Sequence, residues 1–493
     1  MTTFLIGLAI LFGGGFFYGK ICEHVIKPDD RKTPAFAKED GVDYVPMKTW
    51  KNSLINLLNI AGTGPVLGPI QGILFGPIAF ILIPIGNILG GSMHDYFSGM
   101  LALRNGGMQM PDLVKKYTNN VVFNIYNIFI CLLMLLVGAV FIYTPGDIAS
   151  TQVLGFSGKA TDVSTWVVYG CIFVYYIAAT MFPIDKIIGR IYPIFGAILL
   201  FSAVGVFCGI FLKGYQLQEF TLASLSGGHP FSQKLIPMFF ITVACGIVSG
   251  FHSTQTAIIS RNVTNEHQGR ITFYNMMVLE GFIAMIWAAA AMGAVSVNIT
   301  NSEQLFKAPA QVIGIVARDM LGSVGGMVAI LGVIVLPITS GDTALRSLRL
   351  MIADFLRLSQ KPLKNRLYIS IPVFVLVAVI LWLAKTSPDG FNMLWRYFAW
   401  SNQTISIFAF AIITIYLLGK GNKTAAFMSL VPGAWYSFIT FSFICNAPIG
   451  LGLSYNVSMI LGAVFAAAYA FLTFRQGVKL HELKAPLEAV AVY

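Results

Sequence analysis

The chain has 493 residues, of which 56% are hydrophobic and 11% charged, whereas a soluble domain carries about 25% charged residues. That composition, with a mean hydropathy of +0.76, excludes a soluble enzyme, a disordered chain and a nucleic-acid module. The net charge of +11 is no nucleic-acid signature, because Lys and Arg sit in short segments between apolar runs, where membrane topology puts them.

The apolar runs are 3–25, 52–75, 77–101, 121–143, 164–182, 188–213, 234–258, 271–295, 323–343, 367–384, 394–418, 424–444 and 454–474. Each is continuously apolar and near the length of about 20 residues that crosses a bilayer as a helix. Barrel strands would alternate in polarity over about ten residues. The expected fold is therefore an all-α polytopic membrane protein of about 13 transmembrane helices. Residues 3–19 lack the charged n-region of a cleavable signal and read as a first membrane helix. With the N-terminus outside, the outer segments hold Lys159, Lys213, Lys234, Lys307, Arg318, Lys385 and Arg396. The remaining 25 of the 32 Lys and Arg then face the cytoplasm, as the positive-inside rule requires. Cys131, Cys171, Cys208 and Cys245 lie inside apolar runs with no CxxC spacing, so free core cysteines are expected.

The second span reads NSLINLLNIAGTGPVLGPIQG, with Gly62, Gly64, Pro65, Gly68 and Pro69 close together. Proline removes a donor and glycine loosens the backbone, so the helix cannot run unbroken here. Entering near residue 52, it breaks about 15 Å deep, half of a ~30 Å core. Asn52, Asn56, Asn59 and Thr63 share one face. They line a cytoplasmic route to the break or bond to a neighbouring helix. The third span ends in GGSMHDYFSGM, placing His94 and Asp95 near the inner boundary. There they are functional, paired with a neighbour, or bathed in headgroup water.

The seventh span is interrupted over Gly246, Ser249, Gly250, His252, Ser253, Thr254, Gln255 and Thr256. It enters from the outside, and Gly246 lies about 18 Å deep. Spans two and seven thus run oppositely, break at similar depths and each open a five-helix set. That is the pattern of an inverted-repeat secondary transporter, with its site between the broken helices. The organisation expected is an extra helix and linker (1–51), repeats at 52–214 and 230–419, and a C-terminal helix pair with a tail (422–493). Solute would meet Gly62, Thr63, Gly64, Ser249, His252, Ser253 and Gln255.

Glu280 lies mid-span in the eighth run, so it is protonated, paired or hydrated, either as a structural partner or as a proton carrier. The ninth run ends LPITSGDTALRSLR. Asp342 and Arg346 stand i,i+4 there, in the order that favours a pair. Thr339, Ser340 and Thr343 offer hydroxyl oxygens to a hard cation, or back-bond to the helix. Arg396, within FNMLWRYFAWSNQ, is an outer gate, a carboxylate ligand or an aromatic-belt anchor.

The segments IAGTGPVLGPIQG, GSMHDYFSGM, RNGG, FPID at 182–185, SGFHSTQTAIISR, LEGFIAMIWA, LPITSGDTALRSLRL and LWRYFAWSNQT resemble those of the carbon-starvation protein A (CstA) family. The match covers about residues 30–420. The family is implicated in peptide and pyruvate uptake and resembles the LeuT-like amino acid–polyamine–organocation group, which implies a five-plus-five inverted core. In LeuT-like sodium symporters a cation sits between carbonyls of the first core helix and hydroxyls of the eighth. The matching positions are Ala61–Val66 and Thr339, Ser340 and Thr343. Larger family members carry a His pair shortly before the IAG motif, where this chain has Ile55 and Asn56.

These readings converge on a bacterial inner-membrane carrier for a short peptide or small carboxylate. No cofactor is expected beyond Na+ or H+ as coupling ion, through Ala61, Val66, Thr339, Ser340, Thr343, His94, Asp95, Glu280 and Asp342. A nutrient sensor that binds without translocating is the rival. A metal-dependent membrane hydrolase is disfavoured by the lack of an HExxH motif, and direct ATP coupling by the lack of a P-loop.

Overall fold

A computed structural model describes residues 1–41, 43–181, 185–225, 228–360 and 362–488, with the side chains of 185–193, 225, 339, 342 and 354 outside the description. Residues 182–184 of the FPID segment and the side chains of Asp185, Thr339 and Asp342, with the Asp342–Arg346 pair, therefore lie outside the description. Among the described residues the regular structure is helical throughout. In chain order the elements are α1 (Thr2–Ile26), the bent pair α2 (Thr49–Ile60) and α3 (Gly64–Gly72), α4 (79–104), α5 (Met110–Tyr117), α6 (Asn120–Val153), α7 (Val163–Met181) and α8 (Asp185–Leu212). Three short pieces follow, α9 (Leu235–Thr242), α10 (Ala244–Ile247) and α11 (Gly250–Ser260). The rest are α12 (Glu266–Ser296), α13 (Ser302–Lys307), α14 (Pro309–Phe355), α15 (Leu363–Thr386), α16 (Gly390–Gly419), α17 (Lys423–Asn446) and α18 (Tyr455–Glu482).

Ten of these, α1, α6, α7, α8, α12 and α14–α18, are long and apolar enough to cross a membrane. Helices satisfy every backbone group internally, which hydrocarbon demands. The α2–α3 pair passes the same test jointly and bends by 49°. Within α14, Gly322 takes φ 72°, a left-handed conformation that glycine tolerates best. It separates a short arm, residues 309–321, from the long helix that follows.

Both expected interruptions are present. After Ile60 the chain leaves the helix at Ala61 (φ −76°, ψ 73°) and resumes it at Gly64, with Pro65 at a position where its missing N–H is harmless. The second interruption is shorter than the sequence reading. Only Val248 and Ser249 are extended, and Gly250 to Thr256 are already helical. The two interrupted helices touch along a stripe of glycines. A Cβ on Gly68 would lie 2.7 Å from the Thr242 carbonyl oxygen, and one on Gly64 or Gly72 would strike Cys245 or Val243. Small residues let helix backbones approach in this way.

Polar contacts between connecting segments fall into two sets. On one face the backbone amides of Thr2 and Thr3 donate to Glu219 at 2.7 and 2.8 Å. On the same face Lys385 pairs with Asp147 at 2.7 Å, and the Tyr215 hydroxyl donates to Asp319 at 2.7 Å. On the opposite face an ionic clasp gathers five segments. Arg104 meets the fully buried Glu266 at 2.8 Å, and Arg31 reaches Glu266 at 3.3 Å and Glu488 at 2.9 Å. Lys420 and the Tyr416 hydroxyl donate to Glu488 at 2.8 and 2.7 Å.

Valine at position 68 would have to displace the backbone at Thr242. Overpacking of this kind costs about 1–3 kcal/mol, so Gly68→Val should lower the unfolding midpoint of the detergent-solubilised protein. Gly13→Ala, with nothing within 4 Å, should leave it unchanged; equal midpoints for the two variants would mean that α3 and α9 do not touch. For the clasp, burial pushes the Glu488 carboxyl up, but hydrogen bonds from Lys420, Tyr416 and Arg31 hold it at about 2. A carboxyl held low adds stability that is complete above its unfolded-state value and fades as pH falls through the folded one. A nitroxide at position 484 should therefore stay immobile from about pH 5 to 9 and become mobile in Glu488→Gln. Equal restriction in that variant would show that the clasp does not hold the tail.

Candidate functional site

Four ionisable side chains meet beside the two interruptions. His94 and Asp95 of α4 follow a wide π-turn over Asn87–Ser92, a feature frequent at functional sites. The sequence places them near the inner boundary. The structure buries both completely, beside the second interruption. One oxygen of the Asp95 carboxylate accepts from His94 Nδ1 at 2.8 Å, the other from His252 Nδ1 at 2.9 Å. On the far side of the His252 ring, Nε2 stands 3.5 Å from a carboxylate oxygen of Glu280 on α12. His252 also lies beside the Ile60 carbonyl, the end of α2. Since Asp95 only accepts when ionised, it holds the proton of each imidazole on Nδ1 and leaves each Nε2 as a proton acceptor. His94 Nε2, His252 Nε2 and both Glu280 oxygens are buried without a hydrogen-bond partner in the protein. The four side chains form a line along which protons can be held and exchanged.

A file of acceptor atoms leads to this cluster along α2. The Asn52 and Asn56 amide groups donate to the Ile259 and Thr272 carbonyls at 3.4 and 2.7 Å. The side-chain oxygens of Asn52, Asn56, Asn59 and Thr63 are buried with no partner. Where α2 ends, Ser340 Oγ lies 3.2 Å from the carbonyl oxygens of both Leu58 and Asn59, and 3.1 Å from that of Leu336. One hydroxyl proton can serve only one of these acceptors at a time. These contacts fall one turn before the Ala61–Val66 stretch that the resemblance points to. Thr343, half-buried, lies one turn farther along α14.

The second interruption is held by a residue that the sequence reading missed. Asn402 Oδ1 accepts from the Phe251 amide at 2.8 Å, and its Nδ2 donates to Cys245 Sγ at 3.3 Å and to Ser249 Oγ at 3.0 Å. Asn402 thus caps α11 from another helix. Because Gly64 also packs on Cys245, the N-termini of α3 and α11 converge on one spot. The signal was four consecutive polar residues, Ser401 to Thr404, inside an apolar run. Asn87 was missed too; it donates to the Gly246 and Met277 carbonyls at 3.2 and 3.0 Å.

The remaining predicted residues divide. Thr63 and Gln255 each keep an unpartnered buried oxygen, whereas the Ser253 hydroxyl donates to its own helix at Gly250. Gly62 admits the Phe141 ring, whose tip would lie 2.7 Å from a Cβ there. Arg396 is apart from the cluster, in a small cleft at the far end of α3 with Gln71 and Trp395. Among the described residues no group of three or more His, Cys, Asp or Glu is arranged to hold a metal ion.

The profile described as "Carbon starvation protein CstA" matches residues 1–151, 144–324 and 289–443. An "uncharacterized membrane protein" of Haemophilus influenzae is 40% identical over 339 residues, 59% of this chain and 91% of that protein. The peptide transporter CstA of Helicobacter pylori is 25% identical over 552 residues, spanning 87% of this chain and 79% of the relative. That of Escherichia coli is 25% identical, with 86% and 78% covered. A mutant manganese transporter of Eremococcus coleocola shares the fold, with a TM-score of 0.57 at 11% identity, covering 88% of this chain and 93% of the other. With matched stretches that run on from one another over most of its length, this multi-pass bacterial membrane protein belongs to the carbon starvation protein CstA family.

Proposed function

We propose that the protein is a secondary active transporter that takes up a short peptide or a pyruvate-like carboxylate by alternating access, driven by protons. The carrying observation is the buried His94–Asp95–His252–Glu280 line beside two interrupted helices. Ionisable groups in a membrane interior are expensive and mark coupling paths. With both imidazoles neutral and both carboxylates ionised, the cluster would carry two negative charges in a low dielectric. Proton uptake relieves that charge, and the acceptor file along α2 supplies a path toward one face. The solute carboxylate is assigned to the converging N-termini of α3 and α11, whose partial positive charge suits it.

Thirteen crossings with an outer N-terminus fit the contacts between connecting segments. Count 79–104 and 235–260 as the third and seventh crossings. The segments after odd crossings, at 31, 104, 266, 420 and 488, then contact one another. Those at even positions, at 3 with 219 and 147 with 385, do likewise. A miscounted crossing would pair opposite faces. The positive-inside rule makes the clasp face cytoplasmic. The interruptions at Ala61–Thr63 and Val248–Ser249 then stand at matching places in two inverted five-helix repeats. A sodium site is the second reading, favoured by Ser340 among three carbonyl oxygens, since hard cations take oxygen ligands.

Counterflow of labelled pyruvate or dialanine in proteoliposomes tests the carrier, since a sensor shows none. In Asp95→Asn, accumulation driven by a pH gradient should fall by at least about tenfold, the size of an ordinary coupling between sites, while counterflow persists. Accumulation indifferent to the pH gradient in the unsubstituted protein would remove the proton line from the mechanism. Ser340→Ala is expected to leave uptake in sodium-free buffer unchanged. A rise of about tenfold in the sodium needed for half-maximal uptake would instead establish the second reading.

A further inference from the structure

Above the glycine seam, at the far end of α3 from the proton line, a cleft opens that is lined by hydrogen-bond donors. Arg396 lies with its guanidinium 5.8 Å from the centre of the Phe306 ring. The acid that acts on Arg396 is Asp389, at the N-cap of α16. Among the described residues no carboxylate stands within 4 Å to form an ion pair with this guanidinium. Trp395 is 3% exposed and lines the cleft, and its Nε1–H has no hydrogen-bond partner. His229 is 7% exposed and lines the same cleft. Its Nδ1 accepts from the Phe231 amide at 3.1 Å, so the ring proton resides on Nε2, which is a donor. Burial, with the Arg396 charge beside it, holds His229 down at about 4, so the ring is neutral at ordinary pH. Gln71 donates to the Phe306 carbonyl and to Asn392 Oδ1, at 2.8 and 3.3 Å, which leaves the Asn392 N–H groups unspent on that pair. The space is about 10 Å³, room for one water-sized group.

We propose that this cleft is an outer capture site for a carboxylate, in which Arg396, Trp395 Nε1 and His229 Nε2 take one oxygen of the solute's acid group before the seam between α3 and α9 parts. The inference rests on the carrier reading and on its outer N-terminus. The donor set carries it: a half-buried guanidinium with no ion pair, an unpartnered indole N–H and a neutral imidazole donor suit an anion and offer little to a cation or an ester. Arginine with planar acceptors makes some of the strongest hydrogen bonds in proteins. A space of one oxygen's size admits the head group and keeps the rest of the solute in the mouth. The site would raise the local concentration of acid solutes at the seam without contributing to the later step.

Arg396 can be probed directly with phenylglyoxal added outside to the full-length protein in proteoliposomes, the adduct at Arg396 being quantified by mass spectrometry. Sodium pyruvate or dialanine should slow modification several-fold, and methyl pyruvate at matched ionic strength should not. Trp395→Phe, which keeps the ring and loses the donor, should weaken that protection. Arg396→Gln should raise the half-saturating external solute concentration by about tenfold and leave the maximal uptake rate within about twofold of the original. No protection by either acid, or equal protection by chloride, overturns the site even if transport is intact. Protection without any counterflow keeps the site and overturns the carrier instead.

Discussion

Hydrocarbon supplies no hydrogen bonds, so each backbone group released by an interrupted helix must find its partner inside the protein. This structure meets that demand twice with single side chains. Ser340 stands at the carbonyls freed where α2 ends, and Asn402 takes up the amide freed where α11 begins. The polarity of the pair is instructive. A hydroxyl at carbonyl oxygens leaves acceptors in excess, a setting for cations. An amide oxygen at a helix N-terminus leaves neighbouring donors, a setting for anions. The two interruptions therefore offer opposite electrostatic character within one region of the protein.

The ionisable line gains its order from Asp95. A lone buried imidazole can carry its proton on either nitrogen. Asp95 takes an N–H from His94 and another from His252, which fixes both tautomers and turns the free nitrogen of His252 toward Glu280. Three helices contribute, α4, α11 and α12. A shift of any one relative to the others changes the 3.5 Å separation between His252 and Glu280, and with it the ease of proton exchange. In the proposed carrier this one distance would link protonation to helix movement.

Much of this was legible in the sequence because it rests on local chemistry. Gly62, Gly64 and Pro65 end a helix whatever surrounds them, and the apolar runs and charge asymmetry follow from the solvent alone. His252, Asp95 and Glu280 stood out singly as ionisable groups in apolar runs. Their meeting was not legible, because the register of one helix against another leaves no trace in either helix's periodicity. Asn402 was passed over because it lies in an aromatic-rich segment that reads as an interfacial belt. The second interruption was drawn too long because glycine and hydroxyl residues suggest weakness, while the cap that restores the helix at Gly250 comes from a residue 151 positions beyond Phe251.

The glycine ridge of α3 has one more implication. Interlocked side chains hold a helix pair the way teeth hold a zipper, and opening them means resetting many rotamers in sequence. Gly64, Gly68 and Gly72 lay nearly bare main chain of α3 against α9 and α10. A surface without side chains has no rotamers of its own to reset, so in an alternating-access cycle this ridge could part from its neighbours while keeping its own shape.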